Sequence, residues 1–282
     1  MTIQWYPGHM AKAKRQVSEK LQFVDIVFEL VDGRLPISSR NPMLDQILQG
    51  KPRLVLINKA DLADPSQTKQ WETYFNKQGF AVLAINSQDN KGSKSILPKA
   101  KEALVEKLQR EQQKGLKPRA IRAMVIGIPN VGKSTLLNRL AGKKKAKTGN
   151  SPGVTKGQQW IRYKNDLELL DTPGILWPKF EDQEIGKKLA LTGAIKEQLF
   201  HQDDIALYGL DFFIQFYPEQ LAKRYQLTQE DLQLPSPDLL MLITQKQGFQ
   251  EDYEKGSQRV IHDIRDGKLG KYTLDRYEEM GE

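Results

Sequence analysis

Gly127-Ile128-Pro129-Asn130-Val131-Gly132-Lys133-Ser134, with Thr135 behind it, is the stretch that decides the fold. It fits G-x-x-x-x-G-K-[ST], and its surroundings match: a short apolar run at 123–126 leads into it and a helical pattern at 133–140 leads out. Gly127 and Gly132 let the backbone wrap an anion, and amides at the helix N-terminus point at phosphate. Lys133 brings charge to the terminal phosphates, and the Ser134 hydroxyl is placed to take a magnesium ion. Asn130, Val131, Gly132, Lys133, Ser134 and Thr135 are therefore the candidate nucleotide-binding residues of this loop. The competing reading is a plain glycine turn between strand and helix. A chance match in a chain of this length has a probability on the order of 1 in 100, before that context is counted.

Outward from this loop, short apolar runs alternate with longer amphipathic ones, as in a parallel sheet with crossover helices. Strands are predicted at 26–31, 54–57, 81–85, 123–126, 159–163 and 167–170, and helices at 11–21, 66–77, 96–112 and 133–140. The expected fold is α/β, a mostly parallel sheet with helices on both faces. After Trp177 and Pro178 the β-branched runs stop, and helical patterns continue between Pro218, Pro235, Pro237 and Gly248. The predicted division is 1–178, including a short N-terminal segment 1–13, and an all-α domain 179–282.

Two further motifs lie downstream of the loop. Asp171-Thr172-Pro173-Gly174 follows a predicted strand, which puts a carboxylate where it can hold magnesium through water and puts the Gly174 amide near a γ-phosphate. D-x-x-G alone says little, since Asp89 to Gly92 also matches; its place after a strand and after the phosphate loop selects Asp171. Between them Ser151-Pro152-Gly153-Val154-Thr155 offers Thr155, ahead of Thr148, as a further magnesium ligand. The alternative for Thr155 is an ordinary loop threonine.

Upstream, Asn58-Lys59-Ala60-Asp61 ends the strand 54–57 and reads N-K-x-D. The Asp61 carboxylate can accept from both the ring N1 hydrogen and the exocyclic amine of guanine; the Lys59 stem can lie along the base, and Asn58 can tether neighbouring loops. Adenine has no N1 hydrogen, so it would leave Asp61 unsatisfied. Asn86 and Ser87 follow the next strand, where a loop can close over the base; a plain Asn-Ser turn is the alternative.

In chain order these motifs run base-binding, base-loop, phosphate loop, switch one, switch two, and in that order they resemble the circularly permuted P-loop GTPases. The flanks, Trp5-Tyr6-Pro7-Gly8-His9-Met10 and 127–135, resemble the bacterial ribosome biogenesis GTPase A group. That resemblance implies GTP and GDP as substrate and product, with magnesium, and a nucleotide-state switch acting late in assembly of the large ribosomal subunit. It implies that the C-terminal helices bind ribosomal RNA or protein. It also implies a class with a hydrophobic residue where other GTPases hold a water-orienting glutamine; that position is Ile175, so slow intrinsic hydrolysis stimulated by the ribosomal particle is expected. His9, Lys133 and Thr155 are the catalytic candidates. An imidazole titrating near neutral pH at the Pro7-Gly8 turn suits His9 to positioning water, against a structural or RNA-contacting role. Asn130 resembles the asparagine that coordinates potassium in cation-stimulated GTPases, or is a loop residue with no such part.

Composition sets the outer bounds. The 282 residues carry 43 Lys and Arg against 35 Asp and Glu, a net +8 with an isoelectric point near 9.3, and no cysteine. Positive excess favours a polyanionic partner, disulfides and thiolate metal sites are excluded, and His9, His201 and His262 lie far apart in sequence. Lys143, Lys144, Lys145 and Lys147, and Lys255, Arg259, Arg265, Lys268 and Lys271 with His262, are candidate contacts to RNA phosphates, or solvated basic faces. The start of the chain lacks a secretory run, so a cytoplasmic protein with no membrane partner and no DNA partner is expected. Two readings compete with the ribosome-assembly switch. A metabolic nucleotide-dependent enzyme would need an acceptor pocket with added acid or base residues. A regulatory GTPase on another RNA or protein, peripheral to a membrane, would be expected to carry a lipidation cysteine.

Overall fold

All seven residues of Ile26–Asp32 (β1) are buried, which requires a strand covered on both faces and explains its nearly unbroken apolar run, Ile-Val-Phe-Glu-Leu-Val-Asp. Glu29 is tolerated inside because Arg40 pairs with it at 3.0 Å and Arg53 lies 3.5 Å away. A computed structural model describes residues 15, 17–48, 50–89, 92–142, 159–172, 174 and 182–280. It places β1 at the centre of a six-stranded sheet with Arg53–Asn58 (β2), Ala81–Ala84 (β3), Ile121–Gly127 (β4), Gln159–Tyr163 (β5) and Leu167–Asp171 (β6), in the order β3-β2-β1-β4-β6-β5. All neighbours are parallel except β5 and β6, which form an antiparallel hairpin. The mostly parallel α/β sheet read from the sequence is thus the observed one.

The helices of this unit are Met43–Leu48 (α1), Pro65–Lys77 (α2), Ile96–Ala103 (α3), Val105–Gln113 (α4) and Lys133–Ala141 (α5). Asp64 starts α2 by accepting from the Ser66 and Gln67 amides, with Pro65 in the first turn. One face of α2 then buries Gln67, Trp71 and Phe75 at four-residue spacing, and Trp71 and Phe75 join Val31, Val55, Ile57 and Val82 in the core. The single helix expected over 96–112 is two, broken where Leu104 leaves helical geometry at φ −110°, ψ 11°. Helix α1 was not read from the sequence, because six residues give too little periodicity. Of the predicted helix 11–21, residues 17–21 are helical and residues 11–14 and 16 lie outside the described ones.

The chain forms two compact units, one holding Lys179–Leu274 and the other holding Trp5–Pro178 together with Asp275–Glu282. This differs from the division read in the sequence, which gave everything after 178 to the helical part. The reason lies in polar anchoring. The Asp275 carboxylate accepts from the amides of Ile37 (2.8 Å) and Ser38 (2.7 Å) and from the Ser38 hydroxyl (2.6 Å), and the Trp71 indole donates to the Asp275 carbonyl at 3.0 Å. Tyr277 stands edge-on to Trp71, with ring centres 5.6 Å apart.

The other unit is built from Gln183–Leu191 (α6), Gln202–Phe216 (α7), Pro218–Tyr225 (α8), Ser236–Lys246 (α9) and Tyr253–Arg265 (α10). Asp263, fully buried on α10, accepts from Arg224 Nε at 2.9 Å, from the Tyr225 hydroxyl at 3.3 Å and from Lys268 at 3.0 Å. Arg265 donates to the carbonyls of Ala190 and Leu191 at the end of α6 and pairs with Glu197. Two of the cations read as RNA contacts, Arg265 and Lys268, therefore hold this unit together. Among the described residues, no helix is long and apolar enough to cross a membrane.

Candidate nucleotide site

Parallel strands deliver their C-terminal residues to one edge of a sheet, and here those ends are Asp32, Asn58, Gly127 and Asp171. From β1 the chain steps outward to β2 and β3, and from β4 it steps the other way to β6 and β5. The crevice at such a reversal is where open α/β sheets bind ligands. The phosphate loop leaves β4 at that point.

Gly132, at φ 102°, ends the loop and opens α5, and a side chain there would collide with the amide nitrogen of Asn58. Asn130 holds the left-handed region at φ 58° without being glycine. Gly174 comes so near that a Cβ on it would stand 2.8 Å from the Pro129 nitrogen and 3.1 Å from Lys133 Nζ, so the second switch motif lies directly on the phosphate loop. Lys133 is buried, and its ammonium donates to the carbonyls of Gly127 (3.0 Å) and Ile128 (2.8 Å). Ser134 and Thr135 are half-buried in the same helical turn.

Asp171 is fully buried, and neither of its carboxylate oxygens has a hydrogen-bond partner among the described residues. A buried carboxylate in that state is costly, and burial pushes its pKa up to about 6 although the Lys133 charge works against the rise. Burial likewise pushes Lys133 down to about 8, with Asp171 opposing. An arriving phosphate would relieve the lysine and an arriving hydrated cation the aspartate, so this donor set fits magnesium. Because its carboxyl is raised on folding, Asp171 makes the ligand-free chain less stable as pH climbs toward 6, over the range where the native state still holds a proton that the unfolded chain has already lost. Magnesium competes with that proton. The retention of GDP by magnesium is expected to weaken as pH falls below 6, and Asp171→Asn is expected to lack that component. Rates of GDP release with and without chelator, between pH 5 and 8, check it.

On the other side of the loop, Asn58 joins three motifs. Its amide nitrogen donates to the Ser87 hydroxyl (3.0 Å) and the Val131 carbonyl (2.7 Å), and its oxygen accepts from the Ser87 amide (3.0 Å). The Ala60 amide donates to the Ile85 carbonyl at 3.1 Å, closing the base motif against the base loop. Asn86 shapes that loop, accepting from the Gln88 amide at 2.8 Å and donating to Asp89 at 3.1 Å. Asp61 is exposed, outside the core that buries Asn58. Lys59 takes φ 58° and its ammonium bonds Asp32 at 2.8 Å. Asp32 and its partner Arg34 were missed by the sequence reading; an Asp-Gly-Arg run at a strand end was the available signal.

The structure thus brings together Asn58, Ser87, Val131 and Gly132 on the base side, and Lys133, Gly174 and Pro129 on the phosphate side, with Asp171 electrostatically coupled to Lys133. Thr155, His9, Ile175 and the lysines 143–147 lie outside the described residues.

The chain is similar to known proteins over nearly its whole length. A family model described as "50S ribosome-binding GTPase" matches residues 122–246, and one described as "RsgA GTPase" matches 42–181. The ribosome biogenesis GTPase A of Bacillus pumilus is 54% identical over 99% of this chain and 100% of its own length. That of Priestia megaterium is 56% identical over 98% of this chain and 97% of its own. Among solved structures, GNP-bound YlqF from T. maritima matches with a TM-score of 0.63 at 26% identity, covering 94% of this chain and 98% of that one. With this identity over nearly the whole length, and the permuted motif order carried on one sheet, the chain is a circularly permuted GTPase that belongs to the ribosome biogenesis GTPase A family.

Proposed function

We propose that this GTPase is a nucleotide-state switch in late assembly of the large ribosomal subunit, slow by itself and stimulated by the ribosomal particle. The observation that carries the reading is the convergence on Asn58: base motif, base loop and phosphate loop are joined by one side chain, so nucleotide occupancy reaches all three. Asp61 would read the base, Lys133 and the α5 amides would hold the phosphates, and Ser134, Asp171 and Thr155 would hold magnesium. The chemistry that magnesium would supply there is neutralisation of charge on the phosphates. Asn130, already in a left-handed loop position, is the place for a potassium ion.

Permutation gives the switch its output. Only eight residues separate Gly174 from Gln183, the start of α6, so a motif that touches the phosphate loop leads directly into the helical unit. The relatives' names support a ribosomal partner, and the net +8 supports one rich in phosphate. Large-subunit precursor particles, pelleted with the protein in GDP and in a non-hydrolysable GTP analogue, test this. Binding that depends on the nucleotide is expected, and equal or absent recovery in both states overturns the switch.

His9 is the proposed water-positioning residue, since Ile175 brings no polar group to the γ-phosphate. His9→Ala is expected to lower particle-stimulated single-turnover hydrolysis by roughly 10²–10⁴-fold, the range for a positioned acid or base. GTP affinity and particle binding should change little. A near-parental rate at full particle occupancy removes His9 from catalysis.

A further inference from the structure

The turn after β1 carries a buried ion pair that none of the nucleotide motifs includes. Asp32 is 3% exposed and Arg34 2%. Arg34 donates through Nε (3.0 Å) and Nη2 (2.9 Å) to the two carboxylate oxygens, and its backbone amide adds a third bond at 3.1 Å. Lys59 then brings a second cation to the same carboxylate. Burial works to raise the Asp32 carboxyl, but Arg34 and Lys59 outweigh it and hold it well below the usual carboxylate range.

A forked guanidinium already satisfies a carboxylate, so neutralising Asp32 does not require Lys59, whose dehydration costs free energy. What the second pair does accomplish is to fix the lysine. Its backbone is held left-handed, a strained conformation for a residue with a side chain. The turn that carries Asp32 is itself held: the Gly33 amide donates to the Asn58 carbonyl at 2.7 Å, and the Asp32 amide donates to the Ser39 hydroxyl at 2.9 Å. Backbone and side chain of Lys59 are therefore both clamped, from two different strand ends. A lysine with its head anchored has lost most of its rotamer freedom before any base arrives, and its four-carbon stem is left as a preformed apolar wall.

We propose that Asp32 is a positioning residue for guanine-nucleotide recognition, anchoring the Lys59 head so that its stem is fixed as one wall of the base site. The proposal rests on the placing of guanine against Asn58–Asp61. Asp32 acts through Lys59, so the two must be coupled.

The test is a double-mutant cycle on the full chain, reading release of a fluorescent GDP analogue by stopped flow, with thermal melting beside it. Asp32→Asn is expected to speed release about tenfold when Lys59 is present and less than about twofold in a Lys59→Ala background. Asp32→Glu, which keeps the charge but moves it by one methylene, is expected to fall between Asp32→Asn and the parent in the first background and to be silent in the second. Equal losses in both backgrounds make Asp32 a residue of the general fold and overturn the proposal, as does no loss in the first. If Asp32→Asn does not fold, the Glu series carries the same cycle; if neither folds at 25 °C, Asp32 is a folding residue and the proposal falls. Asp61→Asn measured in parallel separates the two claims, because its failure to shift base preference sinks the base placing itself and leaves the coupling of Asp32 to Lys59 to be read separately.

Discussion

Replacing Lys133 with Ala is expected to weaken GTP binding by about two to three orders of magnitude while the chain stays folded. Its ammonium is buried, and in the ligand-free state it is held by two loop carbonyls, Gly127 and Ile128. Phosphate oxygens are stronger acceptors than carbonyls, so nucleotide takes over those donors and pulls the lysine back toward its ordinary pKa from about 8. Truncating one partner of a buried charged hydrogen bond costs roughly 2–5 kcal/mol, which is the basis of that range. A second effect follows on the neighbouring carboxylate. Lys133 is the charge that restrains Asp171, so without it the Asp171 carboxyl should rise above its value of about 6 and magnesium should be needed at higher concentration near neutral pH. Isothermal titration with GTP across pH 6 to 8, with far-ultraviolet circular dichroism as the check on folding, measures both. Unchanged affinity would remove the phosphate site from 127–134.

Asp61→Asn is expected to exchange base preference, with GTP weakened and xanthosine triphosphate strengthened, together by about a thousandfold or more. A carboxylate accepts two hydrogens from guanine; an amide offers a donor in one of those places, matching a base with a carbonyl where guanine has an amine. Polar mismatches in a site built for hydrogen bonding discriminate by 10⁴–10⁵ in favourable cases, because the unmatched groups stay unpaired. Asp61 is exposed and bears on no core packing, so melting should not change. Competition between GTP and xanthosine triphosphate for the same chain reads the ratio, and a parental preference would place the base elsewhere.

Local signals made most of the sheet and both halves of the candidate nucleotide site readable in the sequence. Strands β1, β2, β4 and β6 are buried on both faces, so their apolar runs are dense and end at chemically marked residues: Asn58, Gly127 and Asp171. The phosphate loop is legible because glycine positions and the lysine are imposed by backbone geometry, which leaves little room for other residues. Long-range pairings were not readable. Nothing in Asp32-Gly33-Arg34 announces that Lys59 will complete its charge cluster, since the register of β1 against β2 brings them together. Arg265 looked like a surface cation because its acceptors, the carbonyls of Ala190 and Leu191, lie 75 and 74 positions earlier. The return of residues 275–280 to the sheet unit has the same origin: an aspartate caps amides far upstream, and a short tail gives no periodicity by which to assign it.

That return has a consequence for how the protein is made. The turn that seats Asp32 is braced by a carboxylate 237 positions later, so the bracing group is synthesised long after the loop it braces. Each of the sheet strands is complete by residue 171, yet the loop 33–39 stays without its clamp until Asp275 has been translated. Contacts of such sequence separation close late and slowly, because the entropy of ordering the intervening chain must be overcome first. A nascent chain stalled before Asp275 would carry the phosphate loop but not the finished support of the base motif.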